Sequence, residues 1–289
     1  MSPTLEELIA RKKTILYDGA TGTFLQELGL PMGTPPEKWV LDEPAWIFTA
    51  AEAYVNAGSQ IILTCTFGGT AFRLVSAGLD AFAYEINRRA AELAKEAAGK
   101  RALVAGSIGP LGLLSMSLEG VGFDDAVEQF SAQARALADG GVDLIQIESM
   151  SDLDEVRAAV QGVRRVVDLP IFVTMTFDRG GKTLVGVTPL LAAQYLVQLN
   201  LAGFGANCGN GPEETAYFLH AMRTVAPHAV LIAKPNAGIP TVVRGKAVYS
   251  IDPERFAFHA REWVTAGARV IGGCCGTNPE YIRKLARLR

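Results

Sequence analysis

Four cysteines occupy three places in this 289-residue chain: Cys65, Cys208 and the adjacent pair Cys274 and Cys275. Each lies at or near the end of a short apolar run, and thiolates are both nucleophiles and soft metal ligands. Three thiolates converging from two neighbouring strands can hold one Zn²⁺ and leave its fourth tetrahedral position open, the ligand count of a catalytic zinc rather than a structural one. Adjacent residues of a regular strand face opposite ways. Gly272, Gly273 and Gly276 flank the pair and allow the backbone to turn both sulfurs to one ion. Two other readings compete: cysteines buried as small core residues, and a redox-active vicinal disulfide, which leaves Cys208 without a role.

Two carboxylates also close apolar runs. Glu148 follows Leu144-Ile145, and an acid at such a position needs a cationic partner to offset its desolvation. A substrate amine is the favoured partner; a salt bridge across the sheet end is the alternative. Asp18 begins Asp-Gly, which suits a binding turn and a plain structural turn equally well. His220 and His259 fall in helical segments and His228 in a turn, so no Ser-His-Asp arrangement emerges. The glycine-rich turns contain no GxGxxG or P-loop, so a phosphate cradle is weakly supported.

Eight apolar runs carry these residues: 15–20, 61–67, 102–109, 144–149, 171–177, 203–208, 230–236 and 269–274. Continuous Ile/Val-rich runs suit parallel strands buried on both faces. Segments of helical period separate them, with Asp124, Asp252-Pro253 and Asn278-Pro279 as starts. Further helices are expected over 44–58, 81–98, 152–167, 189–200 and 213–225. Eight strand–helix units without a linker or repeat predict an α/β fold, a single (β/α)8 TIM barrel over residues 1–289, with an open doubly wound sheet as the alternative. Active sites of such barrels sit at the C-terminal strand ends, where all four cysteines fall.

Composition narrows the function classes. With 49% hydrophobic and 20% charged residues the chain is globular. Lys+Arg is 27 and Asp+Glu 30, a net charge of -3 with no basic stripe, which argues against nucleic acid as partner. No apolar h-region opens the chain, and the longest uncharged run, 184–212, is broken by Pro, Gly and Asn, so no membrane span is expected and a cytoplasmic location is. Four cysteines in a chain of this length are not a secreted disulfide framework.

The motifs DGATGT at 18–23, TFGGT at 66–70, GSIGP at 106–110, GANCGNGP at 205–212, PNAG at 235–238 and GGCCGTNPEYI at 272–282 resemble the homocysteine S-methyltransferase family. Their pattern is closest to the homocysteine-binding domain of cobalamin-dependent methionine synthase. The resemblance implies that Cys208, Cys274 and Cys275 hold one Zn²⁺. It also implies that Asp18 with Gly19, Glu148 and Asn236 bind homocysteine, whose thiolate takes a methyl group to form methionine. Cys65 departs from the Asn of many relatives; it either packs or lies near the metal. No cobalamin module follows the last motif, so the methyl donor is expected on a separate methylcorrinoid protein or, next, in a sulfonium compound. Another thiol acceptor, or a non-catalytic zinc-binding partner subunit, are the competing functions.

Overall fold

The computed structural model describes residues 4–112, 120–178, 180–243 and 246–288. Eight parallel strands form a nearly closed barrel: β1 (Ile15–Leu16), β2 (Ile61–Leu63), β3 (Leu103–Ile108), β4 (Leu144–Met150), β5 (Ile171–Met175), β6 (Gly203–Cys208), β7 (Leu231–Pro235) and β10 (Ala268–Ile271). A two-stranded antiparallel hairpin, β8 (Thr241–Val243) with β9 (Lys246–Val248), lies between β7 and β10 in the chain. The barrel order is β1-β10-β7-β6-β5-β4-β3-β2. At the seam Gln60 N donates to the Leu16 carbonyl (2.7 Å), and Leu63 N donates to Asp18 Oδ2 (2.6 Å). A carboxylate thus completes the closure where strand pairing is short.

The strands alternate inward and outward positions. Ile15, Tyr17, Ile61, Leu103, Ala105, Leu144, Phe172, Ile232 and Val270 form one buried cluster, which Leu5 and Leu8 of the first helix complete. That helix, Leu5–Arg11, carries a reciprocal capping box between Thr4 and Glu7. A second, larger cluster joins the outer strand faces to the helices and contains Phe130, Val163, Leu219, Phe256 and Trp263. Continuing two residues along the same strands, the inward series turns polar: Ser107, Gln146 and Glu148, Thr174, and Lys234, all buried. The floor of the barrel is apolar and its mouth is polar, and the change happens within single strands.

The eight expected strands are all present, though β1 and β2 end earlier than their apolar runs. Past Leu16 and Leu63 one more residue of each still pairs, Tyr17 N with the Ile271 carbonyl and Thr64 N with the Ala105 carbonyl, before the chain enters the loops of the mouth. The helix expected to start at Asp124 begins at Phe123 after Gly122, with Asp124 and Asp125 in its first turn, where they favour the helix dipole without capping it. Asp252 and Asn278 do cap their helices, accepting from Arg255 N and Glu280 N. Short helices at Thr21–Glu27, Lys38–Asp42 and Ala71–Leu74 form in stretches without a helix signal in the sequence, and the first and third of them contribute residues to the wall of the mouth. No helix among the described residues is long and apolar enough to cross a membrane.

Strand contact at β6–β7 leaves no room for a side chain at Gly205. A Cβ there would lie 1.9 Å from the Ile232 carbonyl oxygen, an atom of the backbone that cannot rotate away. We expect Gly205→Ala to destabilise the fold by about 3 kcal/mol, the upper range for overpacking. Urea unfolding checks this; a midpoint unchanged from the parent chain would show that the two strands separate freely.

Candidate functional site

A cavity of about 400 Å³ opens at the C-terminal ends of the strands. Gly19, Cys65, Glu148, Cys208, Lys234 and Cys274 are among its lining residues, and Cys275 joins them. Thus Cys208, Cys274, Cys275, Gly19 and Glu148 are brought to one chamber. Asp18 sits just behind its wall, and Asn236 does not line it.

The three sulfurs of Cys208, Cys274 and Cys275 all lie within 4.8 Å of one another. Cys208 Sγ and Cys274 Sγ are 2.8 Å apart, and no cysteine is in a disulfide. Backbone conformation brings them there. Cys208 takes a left-handed conformation (φ 57°), rare outside glycine, and so does Ser149 beside it (φ 62°). Asn207 locks the two together: its Oδ1 accepts from Ser149 N (2.9 Å), and its Nδ2 donates to Ser149 Oγ (2.7 Å). The same Nδ2 approaches Cys208 Sγ (3.6 Å) and Cys274 Sγ (3.8 Å). On the other side, Cys274 N donates to the Pro235 carbonyl (2.8 Å) and Thr277 Oγ1 to the Cys274 carbonyl (2.7 Å). Gly276 turns at φ 80°, so the chain doubles back directly after the pair.

The donor set fits zinc. Three soft sulfurs on one ion leave a tetrahedral position for a fourth ligand. Zn–S bonds of about 2.3 Å in a tetrahedron put sulfurs about 3.8 Å apart, inside the observed span. Without a metal the cluster favours a single thiolate: S–H donation from Cys208 and Cys274 holds the Cys275 thiol well below its ordinary range, while that same sharing and burial push Cys208 well up and Cys274 up to about 12. Cys65 lies outside the cluster, buried, with its thiol pushed well up by burial.

Glu148 Oε1 accepts from Ser107 Oγ (2.6 Å), and its second oxygen has no partner among the described residues. Burial raises its carboxyl to about 7, against a pull downward from Lys234. Asp18 is engaged on both oxygens: Oδ2 accepts from Leu63 N and Oδ1 from Lys234 Nζ at 3.0 Å. Burial pushes the Asp18 carboxyl up while Lys234 pulls it down. Lys234 rises above the usual lysine range despite burial because Asp18 and Glu148 both face it, so we read the pair as ionised. Gly19 is a close approach: a Cβ would lie 2.7 Å from Thr277 Oγ1 and 3.0 Å from Tyr54 Oη. Asn236 Nδ2 donates to the Gly209 carbonyl (2.7 Å), steadying the turn after Cys208, and its Oδ1 is buried without a partner.

Sequence reasoning assigned no role to Lys234, Asn207, Ser107 or Glu37. Lys234 ends the apolar run of β7 facing inward, a signal available from its spacing of two from Ile232. Glu37, buried in the cavity wall, accepts from Gly68 N. Nothing in its exposed-looking PPEKW setting marked it.

Glu148 ties stability to pH. Its carboxyl is raised in the fold, so its protonated form is the one the fold favours. Its contribution is complete below the unfolded value near 4.5 and is lost as pH rises through about 7. In the metal-free protein, Glu148→Gln should therefore gain stability relative to the parent across that window, by roughly 3 kcal/mol. Urea midpoints for both proteins at a series of pH values measure it; a constant difference would refute the raised carboxyl.

The model of the homocysteine S-methyltransferase family matches residues 15–288. Among solved structures, the metallated form of the homocysteine methyltransferase MmuM from Escherichia coli superposes with a TM-score of 0.81 at 25% identity, covering 99% of each chain. The oxidized form of the same enzyme gives 0.81 at 23% identity and the same coverage. The carboxyl transferase domain of Rhizobium etli pyruvate carboxylase shares the fold only, at 0.54 and 13% identity over 97% of this chain and 47% of that one. A match over nearly the whole chain, carried by a mouth of this construction, places the protein in the homocysteine S-methyltransferase family.

Proposed function

We propose that this chain transfers a methyl group to the thiol of homocysteine, forming methionine, with one Zn²⁺ held by Cys208, Cys274 and Cys275. The convergence of three sulfurs in the same cavity as a buried, half-free carboxylate carries the reading. Zinc, when bound, would ionise the acceptor thiol and hold it as a nucleophile at neutral pH. The chain's own residues do the rest. Glu148, fixed by Ser107 on one oxygen, offers the other to the acceptor's ammonium. Asp18 acts from behind the wall through Lys234, and the bare Cα of Gly19 lets the chamber wall pack against Thr277 and Tyr54. Asn207 and Asn236 hold the turns that aim Cys208. Enclosure of the chamber limits competing water and fixes the line of attack.

An attacked methyl needs a good leaving group, such as a sulfonium or the cobalt of a corrinoid. The motif pattern put a methylcorrinoid protein first. The cavity, about 400 Å³ and at the small end for ligand pockets, has room for an amino-acid-sized sulfonium beside the acceptor, which supports the sulfonium; a corrinoid would present its methyl group from outside the mouth. Such thiol chemistry suits a reducing compartment such as the cytoplasm.

Purified protein should contain about one zinc per chain. Alanine at Cys208, Cys274 or Cys275 should remove it with the circular dichroism spectrum unchanged; full zinc in all three variants would end the ligand assignment. Homocysteine should yield methionine with S-methylmethionine or S-adenosylmethionine faster than with methylcobalamin. The opposite order would overturn the donor and leave the acceptor standing.

A further inference from the structure

Lys234 stands at the inward-facing end of β7, two residues beyond Ile232 of the barrel floor. It is 1% exposed, yet it lines the cavity. An ammonium has three N–H donors. One goes to Asp18 Oδ1 at 3.0 Å, and the Tyr17 ring faces the nitrogen at 3.9 Å. The remaining capacity has no partner among the described residues. A buried lysine with a donor left over is costly unless something in the cavity accepts from it.

Beside it, Glu148 leaves one carboxylate oxygen without a partner in the same cavity. The chamber floor therefore presents one unfilled cation and one unfilled anion. Arg73, the other cation of the lining, is engaged elsewhere, over the Phe67 ring at 5.1 Å and donating to the Pro110 carbonyl. An acceptor ammonium on Glu148 carries its own carboxylate close by, into the field of both Glu148 and Asp18. Two like charges in a low-dielectric site repel strongly, and Lys234 is the group placed to cancel that repulsion.

We propose that Lys234 is the partner of the acceptor's α-carboxylate, so that Lys234 and Glu148 together select a zwitterionic amino-acid thiol. This rests on the homocysteine reading above and adds to it the side chain that receives the carboxylate. Asp18 has the supporting part. It neutralises half of Lys234's demand and fixes the nitrogen against the seam of the barrel, and it does not meet the ligand itself.

The test compares two ligands on the zinc-loaded protein by calorimetry. L-homocysteine carries thiol, amine and carboxylate; 3-aminopropane-1-thiol is the same molecule without the carboxylate. The parent chain should prefer homocysteine by about 30-fold, the range for a hydrogen bond to a charged group. Lys234→Met alone strands Asp18 as an unpaired buried charge, so the variant to use is Asp18→Asn with Lys234→Met, checked for zinc content and circular dichroism. There the preference should fall to within about threefold, through weaker homocysteine binding with aminopropanethiol unchanged. Asp18→Asn with Lys234→Gln, which keeps a side-chain amide in place of the ammonium, serves as the second variant if the first pair does not fold. A purely structural lysine would weaken both ligands alike and preserve the ratio, which overturns the proposal, as would equal affinities in the parent chain. A parent chain that binds neither thiol would overturn the acceptor reading first, and this one with it.

Discussion

The buried ion pair between Asp18 and Lys234 is the interaction on which the mouth of the barrel depends. Two charges 3.0 Å apart, both nearly sealed from solvent, must compensate a large desolvation penalty with good geometry. They do so by serving other purposes. Asp18 closes the seam between β1 and β2 through Leu63 N, and Lys234 ties that seam to β7 across the barrel. The Tyr17 ring lies under the ammonium and converts the apolar floor into a surface that tolerates a cation. Below the pair the inward series is apolar, and above it the inward strand positions are polar.

That boundary explains the behaviour of Glu148. It stands one layer into the polar mouth, beside a lysine already held by another carboxylate, and burial outweighs the lysine's pull. A carboxyl so placed changes protonation in the neutral range and answers to whatever cation enters the cavity. The same layer supplies Ser107, whose hydroxyl orients Glu148, while Thr64 and Thr66 steady Ser107 from the turn that follows β2: Ser107 N donates to Thr64 Oγ1 (2.9 Å), and Thr66 Oγ1 to the Ser107 carbonyl (2.7 Å). The orientation of one acid is thus distributed over the ends of three neighbouring strands.

The sulfur cluster is built on a different principle, backbone strain held by side-chain amides. Left-handed conformations at Ser149 and Cys208 cost of order 1 kcal/mol or more each, and Asn207, next to Cys208 in the chain, clamps Ser149 with paired hydrogen bonds and so ties the two turns together. Glycine carries the strain on the other arm, at Gly276. With these turns fixed by the surrounding barrel, the sulfurs stand ready at one point before any ligand arrives, which is the preorganisation that metal sites and catalysis require.

Much of this was legible in the chain itself. Eight Ile/Val-rich runs spaced by helical segments dictate a parallel barrel, because a strand buried on both faces has to be apolar throughout and its crossover has to be a helix. Cysteines and acids at the ends of those runs point to the mouth for the same reason, and the glycines around Cys274 and Cys275 announce that the chain turns there. What the chain could not declare was pairing at a distance. Asp18 and Lys234 are 216 residues apart, and their contact exists only because barrel closure sets β1 near β7. That contact moved Asp18 from the cavity into its wall and brought an unnoticed lysine to the floor. Asn236 likewise reads as a binding residue from its motif, whereas the fold spends its amide on the Gly209 carbonyl. Residue type and period are local properties that a sequence states directly; which polar group satisfies which is decided by closure of the barrel, because only there do groups from distant strands compete for the same few partners.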